Sequence, residues 1–138
     1  MLSTPLHPLI VHFPIALLLL ATVIEIFALW KRERFNTTGT ILLGVGFLSG
    51  IVSYLTGDGG AEYAEAKWGR SVDALIHTHE TFALLSMIFF GGAFGLKLIS
   101  YVWSQQRKTI WYLVVLVAII GSIFLALTGH YGGKIVYQ

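Results

Sequence analysis

The side chains best suited to chemistry are the five histidines of the chain, His7, His12, His77, His79 and His130. Imidazole is the commonest protein ligand for transition metals and for haem iron. The absence of cysteine removes disulfides, iron–sulfur clusters and thiolate metal sites, leaving His, Asp and Glu as the strong ligands. Redox chemistry would then come from a bound cofactor. Asp58, Glu62, Glu65 and Glu80 are the carboxylates expected near the same surface.

The elements that must position these residues follow from composition. At 138 residues the chain has the length of one domain, 1–138, and with 56% hydrophobic against 12% charged residues it is too apolar for a soluble fold of that size. Four apolar runs, at about 9–30, 38–56, 78–103 and 110–129, reach the roughly 20 residues that cross a hydrocarbon core. The expected fold is therefore an all-α four-helix transmembrane bundle. The first run is read as a retained helix, because it is long enough to span and is not preceded by a basic lead. Lys31-Arg32-Glu33-Arg34 follows the first run and Gln105-Gln106-Arg107-Lys108 follows the third. The positive-inside rule places both stretches in the cytoplasm. Both termini and a loop at 57–77 then face outward, which is the periplasm if the source is a Gram-negative bacterium. A net charge of only +2, spread over short loops, excludes a nucleic-acid partner.

On this topology all five histidines fall at one face of the membrane. His77 and His79 are separated by about 200° around a helix, so only one can point inward. His79 lies deeper and is the better candidate, with His77 left to end the loop or cap the helix. His7 and His12 are about 140° apart on a straight helix. If Pro8 opens the helix, His12 stands one turn inside, which ranks it ahead of His7. The expected ligands are thus His12, His79 and His130, with His7 and His77 second. A b-type haem would use two of these imidazoles, with Phe13, Phe82 and Tyr131 around the macrocycle and Lys67, Arg70 and Lys134 near its propionates. A non-haem iron, zinc or copper ion, in a metal-dependent membrane enzyme, would use the same histidines with Asp58 and Glu80. A cofactor-free structural subunit of a larger membrane complex would use them only for capping and interfacial hydrogen bonds.

Two charges lie within apolar runs. Glu25 and Lys97 sit at similar depth in the first and third helices and are expected to form an ion pair, because a charge in the membrane finds a partner in the bundle. The pair is read as structural, with a proton or ion path as the alternative. Gly46 and Gly50, and Gly91 and Gly95, have the spacing that lets helices approach closely inside a bundle.

The opening LHPLIVHFPIALLLL, the TGDGG after the second run, the His79-Glu80 pair and the closing TGHYGGKIVY together resemble the bacterial membrane family catalogued as domain of unknown function 2231. The resemblance covers essentially the whole chain. It implies a four-helix inner-membrane protein and carries over His7, His12, His79, Gly129, His130, Gly132, Gly133, Val136 and Tyr137. Members occur fused to or beside Rieske and c-type cytochrome modules, which implies haem or electron transfer with a separate redox protein or membrane complex on the outer side.

Overall fold

The computed structural model describes residues 7–137, and among them there is no β-strand. Six α-helices follow in order: α1 His7–Ile10, α2 His12–Ala28, α3 Arg32–Leu55, α4 Gly57–Trp68, α5 Asp73–Val102 and α6 Arg107–Val136. Short 3₁₀ turns at Gly69–Val72 and Ser104–Gln106 precede α5 and α6. Helix α1 with α2, and α3, α4 with α5, and α6 provide four stretches long and apolar enough to cross a membrane. The chain is thus an all-α membrane protein.

Tight connections make α2 and α3 one antiparallel hairpin and α5 and α6 another, and the two join through α3 against α5 and α2 against α6. Their shared core is Leu18, Ala21, Leu43, Phe90, Ala93, Ile110, Val114 and Ala118. Leu20, Val23, Ile41, Leu48, Ile88, Leu116 and Ile123 point outward, exposed in the isolated chain. In a bilayer that apolar belt meets lipid, which is why the long helices α2, α3, α5 and α6 are apolar on their outer faces as well as in the core. Glycines seat neighbouring side chains: a Cβ on Gly46 would lie 2.8 Å from Leu18, on Gly50 2.7 Å from Met87, and on Gly91 2.9 Å from Phe47. Gly95 has no such neighbour. Three of the four spaced glycines therefore serve close packing inside the bundle.

The helices run past the apolar segments. Helix α5 begins at Asp73 and α6 continues to Val136, and the 30 residues of each rise about 45 Å, more than a hydrocarbon core requires. His77 accordingly stands inside α5, exposed, and does not cap it. The stretch expected as an outer loop is largely helical. Helix α4 buries Ala64 against Val72 and Ile76, with Ala61, Trp68 and Ile135 around them. It ends at Gly69, whose φ of 69° is a left-handed conformation natural to glycine.

Candidate functional site

The local structure of the first turns decides which histidine faces the bundle. Pro14 has no N–H to give the carbonyl of Ile10 and its ring crowds that group, so the helix is interrupted at Val11 between α1 and α2. The chain continues through Val11 N–H donating to the His7 carbonyl at 3.0 Å. Pro14 itself is buried. This break turns His7 inward and leaves His12 exposed, reversing the order expected from a straight helix starting at Pro8.

His7 and His79 meet at one end of the bundle. Their rings stand edge to face at 85°, with centroids 6.3 Å apart. Nδ1 of His7 donates to the Ser53 carbonyl of α3 at 3.0 Å and lies 3.2 Å from the Thr56 hydroxyl. Thr56 also donates its hydroxyl to the Ser53 carbonyl, at 2.7 Å. Nδ1 of His79 donates to the Thr128 carbonyl of α6 at 2.9 Å. A carbonyl can only accept, so each Nδ1 carries the hydrogen, and in the neutral ring Nε2 keeps its lone pair. Each imidazole is also held against a glycine. A Cβ on Gly60 would come within 3.4 Å of His7, and one on Gly132 within 3.2 Å of His79.

The other expected residues lie apart from this pair in their contacts. His12 donates Nδ1–H to the carbonyl of Pro8 in α1, four residues back, at 2.7 Å, and is exposed. His77 and His130 are exposed, and the His130 ring packs edge-on to Tyr131 with centroids 5.5 Å apart. His130 lines an open groove with Leu75, Gly129, Gly133, Lys134 and Tyr137. Asp58 and Glu80 are exposed. Phe13 is also exposed, whereas Phe82 stacks on Tyr131 at 5.5 Å and on Phe124 at 6.1 Å. Lys67 lies over Trp68, Arg70 is 3.8 Å from Asp73, and Lys134 lies over Tyr131.

Among the described residues no three His, Asp or Glu side chains gather as a metal-binding group. Non-haem catalytic centres commonly take three protein ligands. Two imidazoles from different helices, His7 and His79, are what meet at this end of the bundle. Carbonyl bonds at Nδ1 are of the kind that orient a histidine whose Nε2 is the ligating atom. Ser53, Thr56, Gly60, Thr128 and Gly132 were not among the residues singled out as ligands, because backbone carbonyls and missing side chains carry no chemical signature; Gly60 and Gly132 do lie in the TGDGG and TGHYGG motifs.

Comparison with known proteins gives the same class. The chain belongs to the family described as predicted membrane protein (DUF2231), whose model matches residues 3–138. No curated protein and no solved structure matches it.

Proposed function

We propose that this protein binds haem b through His7 and His79 and passes single electrons across the outer part of a bacterial cytoplasmic membrane. The observation that carries the reading is the meeting of two imidazoles from different helices, each fixed at Nδ1 by a carbonyl of another helix. The Ser53 and Thr128 carbonyls hold the Nδ1 hydrogens, so in each neutral ring Nε2 is the nitrogen that keeps a lone pair for a ligand. Gly60 and Gly132 leave the space that the rings occupy. Bound haem supplies a one-electron couple whose potential follows from its axial ligands and their burial. The donor is a quinol or membrane complex, and the acceptor is a separate cytochrome-like protein on the outer side.

Absorption spectra of the detergent-purified protein, expressed with ample haem and recorded before and after dithionite, test this reading. A Soret band that shifts on reduction, lost in His79→Ala, is the expected result. Absence of both Soret band and iron defeats it. Iron, zinc or copper without porphyrin transfers the pair to a non-haem centre. A second reading is a structural subunit without cofactor, favoured by the fact that each Nδ1 bond already ties two helices together. Under that reading the protein copurifies in a stable complex and carries neither metal nor porphyrin.

A further inference from the structure

At the opposite end of the bundle, near the basic connections, Glu25 and Lys97 form the ion pair expected from their depth, with side chains 2% and 1% exposed. Their charges cancel, so the pair adds no net charge to this end. The charge comes instead from Lys31, Arg32, Arg34, Arg107 and Lys108, set against the one carboxylate of Glu33. None of these five cations is in an ion pair among the described residues. Helices α3 and α6 both begin here without a side-chain cap, and the positive ends of their dipoles reinforce the same field.

The fold fixes two of the five. Arg32 lies over the Trp111 ring, 3.6 Å from its centre, with its Nε buried. Arg107 stands one turn before Trp111 on the same side of α6, and its Nε donates to the Ser100 carbonyl near the end of α5 at 3.1 Å. Asn36, one turn beyond Arg32, donates to the Tyr101 hydroxyl at 3.0 Å and so ties the start of α3 to the end of α5 as well. Both arginines are half-buried, whereas Lys31, Arg34 and Lys108 are exposed. Each arginine thus turns Nε inward, which leaves its two terminal nitrogens for a group from outside. Among the described residues nothing accepts a hydrogen bond from those nitrogens or pairs with them.

We propose that Arg32 and Arg107 bind the phosphate of an anionic phospholipid in the leaflet at this end of the bundle. A guanidinium presents its N–H donors as a planar fork that matches phosphate oxygens. The Trp111 ring and the Ser100 carbonyl hold the two forks in place before the lipid arrives, so less side-chain freedom is lost on binding. A free phosphate ion offers the same oxygens, but the surroundings suit a lipid. Trp30, Val102 and Trp103, beside the basic stretches, are all exposed, and so is Tyr112. Aromatic side chains of this kind sit where headgroups give way to acyl chains. A lipid has tails to lay against them, and an ion has none. Because the cations outnumber Glu33, a headgroup with net negative charge is favoured over a zwitterionic one.

The test is native mass spectrometry of the full chain in detergent, titrated with dioleoylphosphatidylglycerol or dioleoylphosphatidylcholine, with inorganic phosphate as competitor. Wild type is expected to bind the phosphatidylglycerol at least about 5-fold more tightly than the phosphatidylcholine, and to retain it against excess phosphate. Arg32→Gln with Arg107→Gln should weaken that binding about 10-fold or more. Lys31→Gln with Lys108→Gln removes the same charge from exposed positions and should weaken it no more than about 3-fold. Arg32→Lys with Arg107→Lys keeps both charges and a cation over Trp111 but lacks the fork, so an intermediate loss is expected; this variant decides the matter if the glutamine pair fails to fold. The proposal is overturned by absence of a preference for the anionic lipid, by equal losses in the two glutamine pairs, or by wild-type affinity in the arginine-to-lysine variant. Displacement of the lipid by inorganic phosphate overturns the assignment to a lipid.

Discussion

The imidazoles of His7 and His79, from helices about half the chain apart in sequence, stand edge to face with their centres 6.3 Å apart. Each is anchored at Nδ1 to a carbonyl of a third or fourth helix, Ser53 in α3 and Thr128 in α6. Four membrane helices are thereby tied together through two side chains. A site built on helices in this way holds its groups more exactly than one built on loops.

Single alanine substitutions of the histidines should therefore divide into two classes. His7→Ala and His79→Ala are expected to abolish the haem spectrum, because each removes one of the two meeting imidazoles. His12→Ala, His77→Ala and His130→Ala, all at exposed positions, should leave it intact. Soret absorbance per mole of purified protein measures the division, and loss in His12→Ala with retention in His7→Ala would move the site.

Thr56→Val removes a hydroxyl that shares the Ser53 carbonyl with His7 while preserving shape. Outer contacts of this kind cost about 10–100-fold in metal affinity or activity when lost. The variant should retain the fold and weaken cofactor retention or shift its potential, as followed by reductive titration. An unchanged potential and affinity would show that Thr56 supports only the backbone at the end of α3.

The Glu25–Lys97 pair was legible from sequence because depth alone decides that two buried charges must find each other. The choice between His7 and His12 was not, since it turns on the azimuth set by the break at Val11, and that break depends on Pro14 acting on a carbonyl four residues back. Helix α4 was hidden for a related reason. Gly57, Gly59 and Gly60 lower local helix propensity, and the helix is secured by tertiary burial of Ala64 against Val72 and Ile76, which no local pattern reveals.

Lys97→Met alone leaves the Glu25 carboxylate buried without its partner, a change that costs about 3–5 kcal/mol in comparable buried pairs. The double variant Glu25→Leu with Lys97→Met removes both charges and should recover most of that loss. Thermal melting in detergent of the two singles and the double provides the comparison. A double variant no more stable than the worse single would mean that the pair contributes more than its charges cost.

Glycine positions offer a contrast within one helix type. Gly39→Ala drives a methyl into Oε1 of Glu25, and because Lys97 pins that carboxylate the expected cost is about 1–3 kcal/mol. Gly95→Ala meets nothing within 4 Å and should be neutral or stabilising by up to about 1 kcal/mol through helix propensity. The same melting assay separates them; equal effects at both positions would contradict the close seat of Oε1 against Gly39.

The electron-transfer reading requires the histidine end to face outward, and the chain supplies its own means of checking. It has no cysteine, so a single introduced thiol reports one position without background. Glu62 lies on the exposed face of α4 at the histidine end, and Lys108 is exposed at the basic end. In intact cells, a membrane-impermeant maleimide should label Glu62→Cys and spare Lys108→Cys, and lysis should make both reactive. The positive-inside rule leads to this outcome, since the basic residues at Lys31 to Arg34 and at Arg107 and Lys108 share one end of the bundle. The reverse labelling pattern would put the histidine pair on the cytoplasmic side and rule out transfer to an outer partner.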